Sequence, residues 1–381
     1  MDFEFSNEQI ALKKEVINFA QNELNADLAQ NDRAGTFPAE GWKKCARFGI
    51  LGLPFPTEYG GNGTDIVTTT LVMEGLGYGC KDSGLIFGMN AQMWSVQTPI
   101  WQFGTVAQKQ KYLPALCNGE LIGAHGMSEP DSGSDAFSLR STARVDGNQY
   151  ILNGTKIFVT NAPVADLFVI FASTDHSLGF MGITAFLVER GFRGIRVEKP
   201  MSKMGLKTSL WAEVVLEDCC VPKENQLGAE GSGSKIFNSS MEWERSCILA
   251  SYLGAMQRVI ETCIKYAKER RQFNRPISKF QSVANKIVDM KVRLETARLI
   301  LYKVAWLKQN NKNAVLDAAV AKYYLSECWV QSCLDAVQIH GGYGYTTEFE
   351  VERDLRDSLA GKIYSGTSEI QQNIIAWQLG L

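Results

Sequence analysis

A chain of 381 residues with 39 Lys+Arg and 41 Asp+Glu carries a formal charge of −2, with 45% apolar and 21% charged residues. That is ordinary globular composition in a chain too long for one small core, so two or three domains are expected. The near-zero charge and the lack of long like-charge blocks remove any electrostatic case for nucleic acid or a membrane surface as partner.

No stretch reaches the ~18 apolar residues of a membrane helix. The N-terminal MDFEFSNEQ has neither a basic region nor an apolar core, so no secretory signal is expected. The C-terminal AWQLGL is neither a prenylation box nor a peroxisomal tripeptide. A cytoplasmic protein is the expectation. Nine cysteines without a Cys-x-x-Cys pair, and only three histidines (His125, His176, His340), argue against a metal site and for buried thiols.

Ser6-Asn7-Glu8-Gln9 has the form of a capping box and opens a helix read to about Ala29. Pro38 and Gly49 bracket the next helix. Residues 65–79, 83–103 and 105–117 continue in helical style, and no strand alternation precedes about residue 120. The period then changes. Asp146-Gly147 separates 143–145 from 149–152, and Asn153-Gly154 leads into 156–159. Both dipeptides read as hairpin turns, because a type I′ turn needs positive φ. Further strands are expected at 167–172, 183–188, 195–197 and 212–216. From about Gly231 helical runs return: an uninterrupted one over 234–269, a break at Pro276, then runs over 280–307 and 313–339. A corner, His340-Gly341-Gly342-Tyr343-Gly344, precedes a last helical region. Long helices with short connections predict an antiparallel bundle. The expected fold class is α+β, with a helical unit at 1–119, a β unit at 120–229 and a helical bundle at 230–381.

Five motifs punctuate this framework. Met127-Ser128-Glu129-Pro130-Asp131-Ser132-Gly133-Ser134-Asp135 opens the β unit, and Asn153-Gly154-Thr155-Lys156-Ile157-Phe158-Val159-Thr160-Asn161 follows. Next come Arg270-Arg271-Gln272-Phe273, with Gln281 eight residues later, and Gln338-Ile339-His340-Gly341-Gly342. Ser365-Gly366-Thr367-Ser368-Glu369-Ile370-Gln371 is the last. In type and order they resemble the motifs of the acyl-CoA dehydrogenase family. The resemblance implies N-terminal helices, a β-barrel-like middle and a C-terminal bundle. It also implies FAD as cofactor and a homotetramer, since members complete each FAD site with a neighbour's residues.

The same resemblance distributes roles. Met127, Ser128, Gly133 and Ser134 would line the flavin edge and the substrate's pantetheine arm. Phe158, where the family usually has Trp, and Thr160 would cover one flavin face. Arg270, Gln272, Phe273 and Gln281 would reach the pyrophosphate, adenine and ribityl regions, a task suited to a guanidinium fork. Gln338, Gly341 and Gly342 would receive the adenine half of a neighbour's FAD, glycine permitting close approach. Thr367 and Glu369 would touch the flavin. Without the motifs, Phe158 reads as a core aromatic, Arg270 as a solvated helix end and Gly341 as a helix cap.

Most family members have a Glu at the position of Ser365 as the base for the substrate's α-proton, and a serine hydroxyl is too weak a base to replace it. One branch of the family carries that base before an Arg on the first long bundle helix. Here the matching pair is Glu244-Arg245. On a helical wheel Phe237, Met241, Glu244 and Ile248 fall within a sector of about 60°, so the carboxylate shares an apolar stripe. Burial there would raise its pKa above ~4.3, as a general base requires. Periodicity alone equally allows an ion pair with Arg245 or a helix neighbour.

Ser-Ser-Met-x-Trp-Glu-Arg at 239–245, Ile-Tyr-Ser-Gly-Thr-Ser at 363–368 and Arg356-Asp357-Ser358 resemble enzymes that oxidise prolyl groups tethered to carrier proteins. The implied reaction is α,β-desaturation of a thioester, with Glu244 as base, the flavin taking a hydride, and Ser134, Arg245 and Ser365 against the substrate. The backbone N–H at Ser365 would stabilise the enolate-like oxygen. The product would be a dehydroprolyl thioester, a pyrroline or pyrrole of secondary metabolism. The acceptor, an electron-transfer flavoprotein or oxygen, is left open. Two alternatives stand: a short- or branched-chain acyl-CoA dehydrogenase, and an inactive flavin-fold scaffold.

Overall fold

The computed structural model describes residues 4–381. Helix α1 (Asn7–Glu23) begins at the expected capping box, Ser6 and Gln9 each accepting the other's backbone N–H through a side-chain oxygen. It ends before Ala29. The Asn25 side chain donates to the carbonyls of Ala20 and Gly79, offering the backbone an alternative to helix. Helices α2 (Leu28–Ala34) and α3 (Ala39–Phe48) follow, the latter closing at Gly49 with φ +90°. Then come α4 (Ile66–Gly79), α5 (Ser83–Gln92), α6 (Thr98–Phe103) and α7 (Val106–Cys117). Between α5 and α6, Met93–Gln97 form a π-helical segment, a feature frequent at functional sites.

The middle of the chain holds β1 (Gly123–Gly126), β2 (Thr142–Asp146), β3 (Gln149–Thr160), β4 (Leu167–Ser173), β5 (Ile183–Glu189), β6 (Ile195–Val197), β7 (Trp211–Pro222) and β8 (Gln226–Leu227). The sheet order is β6-β7-β3-β2-β4-β5-β8, with β1 beside β4. Val214 and Val221 of β7 share a core with Phe186 and Val188 of β5, near the other end of that order, so the sheet curls into a barrel-like form. The opposite face of β4 and β5 (Val169, Phe171, Leu187) packs on Val96, Leu113 and Ile236 of the helices.

The β2–β3 hairpin forms as expected, turning at Gly147-Asn148 with Asp146 opposite Gln149. Asn153-Gly154 is not a turn. Strand β3 runs through it, and Gly154 marks a bulge against β7. A Cβ on Gly154 would lie 2.1 Å from the Ser141 hydroxyl, so this glycine serves close packing rather than chain reversal. A second bulge sets Phe158 at φ +56°.

The C-terminal part comprises α8 (Gly233–Cys247), α9 (Ala250–Glu269), the short ladder of β9 (Arg271–Gln272) with β10 (Arg275–Pro276), α10 (Gln281–Gln309), α11 (Val315–His340), α12 (Val351–Ala360) and α13 (Ser368–Gln378). The expected single run over 234–269 is therefore two helices. The break at Ile248-Leu249 has no glycine or proline; both side chains are buried, and packing overrides local propensity.

The two helical parts share one core, in which Val16, Trp42 and Leu76 join Leu253, Leu301 and Trp329. All nine cysteines are free, and all but Cys220 are buried. Among the described residues no helix is long and apolar enough to cross a membrane. Helices α4 and α9 cross backbone to backbone, and a Cβ on Gly254 would lie 1.9 Å from the Glu74 carbonyl oxygen. The Glu74 carboxylate is itself held by Lys13 and Arg298, each at 3.0 Å, and by Tyr302 at 2.8 Å. Gly254→Ala should lower stability by about 1–3 kcal/mol, read as a lower urea midpoint. An unchanged midpoint would contradict this close crossing.

Candidate active site

Helix α8 presents Met241 and Glu244 on its buried face, the stripe ending at Ile248 just beyond it. Glu244 is only 7% exposed. Three other elements meet it: the π-helical segment through Ser95, the turn between α12 and α13 through Ser365, and α11 through Lys322. Burial pushes the carboxyl pKa up, while the Ser95 and Ser365 hydroxyls and the Arg245 and Lys322 charges draw it part of the way back. The ion-pair alternative fails, since Glu244 joins no salt bridge among the described residues. On this helix the bridged carboxylate is Glu242, 2.5 Å from Lys308, and Arg245 instead donates to the Ser365 carbonyl at 3.2 Å.

Ser365 has φ +54° and Gly366 φ +89°. Their carbonyls are well held: Gln371 donates to both, at 3.3 and 2.9 Å, and Lys322 donates to Gly366 at 2.7 Å. The Ser365 N–H donates to no described residue. Its hydroxyl is buried and makes no well-formed hydrogen bond. A buried carboxylate beside a free backbone donor can take a proton from carbon while the donor stabilises charge on an adjacent oxygen. Ile248, Phe87, Tyr252 and Tyr364 line a crevice of about 10 Å³, with the two tyrosine hydroxyls 2.8 Å apart.

A second constellation surrounds a cavity of about 520 Å³ lined by Arg270, Gln272, Gly341, Gly342 and Tyr343. The Arg270 guanidinium lies 5.5 Å from the Tyr343 ring centre. A Cβ on Gly341 or Gly342 would meet nothing within 4 Å, so packing inside this chain does not demand either glycine, although Gly341 needs its φ of +60°. Gln338 is exposed and does not line the cavity. Phe273 is 87% exposed, with φ +49°, and Gln281 is exposed at the start of α10.

The third lies where the loop after β1 meets β3. The Met127 side chain is buried in the core between sheet and helices, so only its backbone faces the loop surface. The Ser128 carbonyl accepts from the Ile157 N–H at 2.9 Å, next to the bulge where half-exposed Phe158 leans on Trp211 with ring centres 4.9 Å apart. Thr160 ends β3, and Gly133 and Ser134 sit exposed at the loop tip. Thr367 caps α13 by accepting from the Ile370 N–H, and Glu369 is exposed.

The sequence reading missed Ser95, Lys322 and the pair that fastens the loop. Glu129 accepts from Lys156 Nζ and Ser141 Oγ, both at 2.6 Å, and from the Arg140 N–H. Burial brings the Lys156 pKa down to about 8 against the pull of Glu129. A lysine inside the apolar run Ala-Ala-Val-Ala-Lys-Tyr-Tyr-Leu was the available signal for Lys322. Arg356 pairs with Asp32 and Glu352, and Asp357 accepts from the Leu206 N–H, so that step fastens α12 to its neighbours.

Models of the N-terminal, middle and C-terminal domains of acyl-CoA dehydrogenase match residues 6–120, 124–219 and 231–380. The chain belongs to the acyl-CoA dehydrogenase family. This family member is 41% identical over 381 residues to an L-prolyl-(peptidyl-carrier protein) dehydrogenase of Serratia sp. (strain ATCC 39006), covering 100% of this chain and 99% of that protein. It is 40% identical over 379 residues to a short-chain specific acyl-CoA dehydrogenase of Clostridium acetobutylicum, covering 100% of each. Among solved structures, the prolyl acyl carrier protein oxidase AnaB superposes with a TM-score of 0.98 at 53% identity, over 99% of this chain and 100% of that one. PigA with FAD and proline gives 0.97 at 40% identity over 100% of both.

The raised carboxyl of Glu244 makes a stability prediction. The folded state holds that proton to higher pH than the unfolded chain does, so the stability it contributes falls as pH rises above ~4.3. Glu244→Gln, which carries no charge to bury, should gain stability over wild type at pH 8, and the gap should close toward pH 4. Denaturant titrations at both pH values check this; a gap that is absent or widens toward acid would contradict it.

Proposed function

We propose that this family member oxidises a prolyl group, held as a thioester on a carrier protein, at its Cα–Cβ bond to give a dehydroprolyl thioester. The observation that carries the reading is Glu244: a buried carboxylate without an ion-pair partner, beside a turn whose backbone N–H is free. A thioester α-proton is weakly acidic, and a carboxylate with a raised pKa is matched to it better than an exposed one. Glu244 accepts the α-proton. The Ser365 N–H donates to the thioester carbonyl as negative charge grows there. Serine retains this backbone donor, and the absence of Glu at 365 leaves room beside Glu244.

FAD, when bound, supplies the acceptor for the β-hydrogen. The residues present fit it. Arg270, Gln272 and the open Gly341–Gly342 corner offer donors and space to a pyrophosphate. Phe158 offers an aromatic face, and the peptide groups of Ser128, Gly133 and Ser134 with the Thr160 hydroxyl offer polar contacts to a ring edge. Gln338, Phe273, Gln281 and Glu369 are exposed in the single chain, which supports their use in a homotetramer where one subunit completes its neighbour's site.

One likeness supports a prolyl substrate: AnaB, a prolyl acyl carrier protein oxidase, is 53% identical to this chain. The second reading, a short-chain acyl-CoA dehydrogenase, is favoured by the 40% identity to such an enzyme.

The test is anaerobic mixing of the purified flavoprotein with prolyl-S-carrier protein, prolyl-CoA and butyryl-CoA while following flavin absorbance. Prolyl-S-carrier protein should reduce the flavin fastest; equal or faster reduction by butyryl-CoA would establish the second reading instead. Separately, Arg270→Ala should weaken FAD retention by about tenfold or more, as loss of a charge-assisted hydrogen bond does. The FAD-to-protein ratio after gel filtration measures it, and full retention would remove Arg270 from the FAD site.

A further inference from the structure

Lys322 is fully buried in the middle of α11. Its ammonium has no carboxylate at ion-pair distance among the described residues; it donates to the Gly366 carbonyl at 2.7 Å and lies 5.9 Å from the centre of the Tyr364 ring. The charges facing it are Glu244 and Arg245 from α8, Glu327 from its own helix and Glu369 from α13. Glu327 is already engaged, with Lys362 and Ser368 each at 2.9 Å. Burying a cation without a close counter-charge is costly, and an apolar side chain would pack there at less expense. A lysine at this position therefore calls for a role beyond packing.

The contact it makes suggests that role. Ser365 is a non-glycine residue at φ +54°, a conformation that costs about 1–2 kcal/mol and persists only when surrounding contacts impose it. The carbonyls of Ser365 and Gly366 are gripped by three donors on three helices: Arg245 of α8, Lys322 of α11 and Gln371 of α13. On the other side Tyr364 is held by its N–H, which donates to the Ala360 carbonyl at 3.1 Å, and by its hydroxyl, which donates to Tyr252 at 2.8 Å. Anchored before and after, the backbone at Ser365 has little freedom to turn its N–H.

We propose that Lys322 is a positioning residue: together with Arg245 and Gln371 it clamps the Ser365–Gly366 turn so that the Ser365 N–H meets the thioester carbonyl. This rests on the proposed function of Ser365 as the donor to that oxygen. A neutral donor would hold the turn as well, but a cation also adds favourable potential where negative charge develops.

The test uses the FAD-loaded protein with Lys322→Met, which keeps length and removes donor and charge, and Lys322→Arg, which restores both. Amide hydrogen exchange across residues 361–368 reports the turn, and anaerobic flavin reduction by prolyl-S-carrier protein reports the reaction. Lys322→Met should keep FAD and speed exchange in this segment about tenfold or more, with α10 unchanged. Its limiting reduction rate should fall ~10²-fold, with the half-saturating substrate concentration changed less than ~3-fold. Lys322→Arg should recover most of both. Unchanged exchange in Lys322→Met overturns the clamp. Faster exchange with a wild-type reduction rate, or equal losses in the two variants, overturns its part in the reaction. A wild-type protein that prolyl-S-carrier protein fails to reduce overturns the proposed function instead, and the exchange comparison then decides the clamp alone.

Discussion

A carboxylate moved from water into packed helices resists ionisation, and Glu244 is kept in that condition rather than relieved of it. Burial raises its pKa, two serine hydroxyls and the charges of Arg245 and Lys322 soften the effect, and Arg245 donates to a backbone carbonyl rather than pairing with it. A salt bridge at that point would have produced a stable, unreactive anion. In the proposed reaction, diverting Arg245 to the Ser365 carbonyl leaves Glu244 free to act as base and helps hold the turn whose N–H would meet the developing charge.

The groups around Glu244 come from distant parts of the chain: the π-helical segment before the sheet, α8 and α11 of the bundle, and the turn after α12. They can meet because the two helical parts share a core and cross tightly at Gly77 and Gly254. The sheet contributes a separate surface, anchored by the buried Glu129–Lys156 pair, on which the loop after β1 and the Phe158 bulge are fixed together. Breaking such a pair by removing one partner leaves a charge buried alone, so the loop's shape is strongly enforced.

Features that depend on local chemistry could be read from the sequence. The Ser6–Gln9 capping box, the Gly147 hairpin and the Gly49 helix end each follow from one or two residues with narrow conformational preferences. The burial of Glu244 was legible because helical periodicity places it on an apolar stripe, whereas its reading as a base came from the family resemblance. Asn153-Gly154 misled for a physical reason. A strand glycine can mean a turn or a close contact, and the contact with Ser141 is long-range. The break at Ile248-Leu249 and the π-helical segment are set by packing against other elements and carry no local mark. Lys322, marked in the sequence only by its place in an apolar run, and Ser95, not marked at all, could not be assigned to the site, because their partner atoms are a backbone carbonyl and a carboxylate far away in sequence.

In the proposed reaction the base lies on α8 and not on the turn at Ser365. Anaerobic, single-turnover flavin reduction by prolyl-S-carrier protein in Glu244→Gln and Ser365→Ala, with FAD content equalised first, separates the two positions. Glu244→Gln should retain FAD and slow reduction by ~10²–10⁴-fold or more, while Ser365→Ala, which keeps the backbone N–H, should stay near wild type. Near wild-type reduction in Glu244→Gln alongside an inert Ser365→Ala would contradict it and move the chemistry to the other helix end.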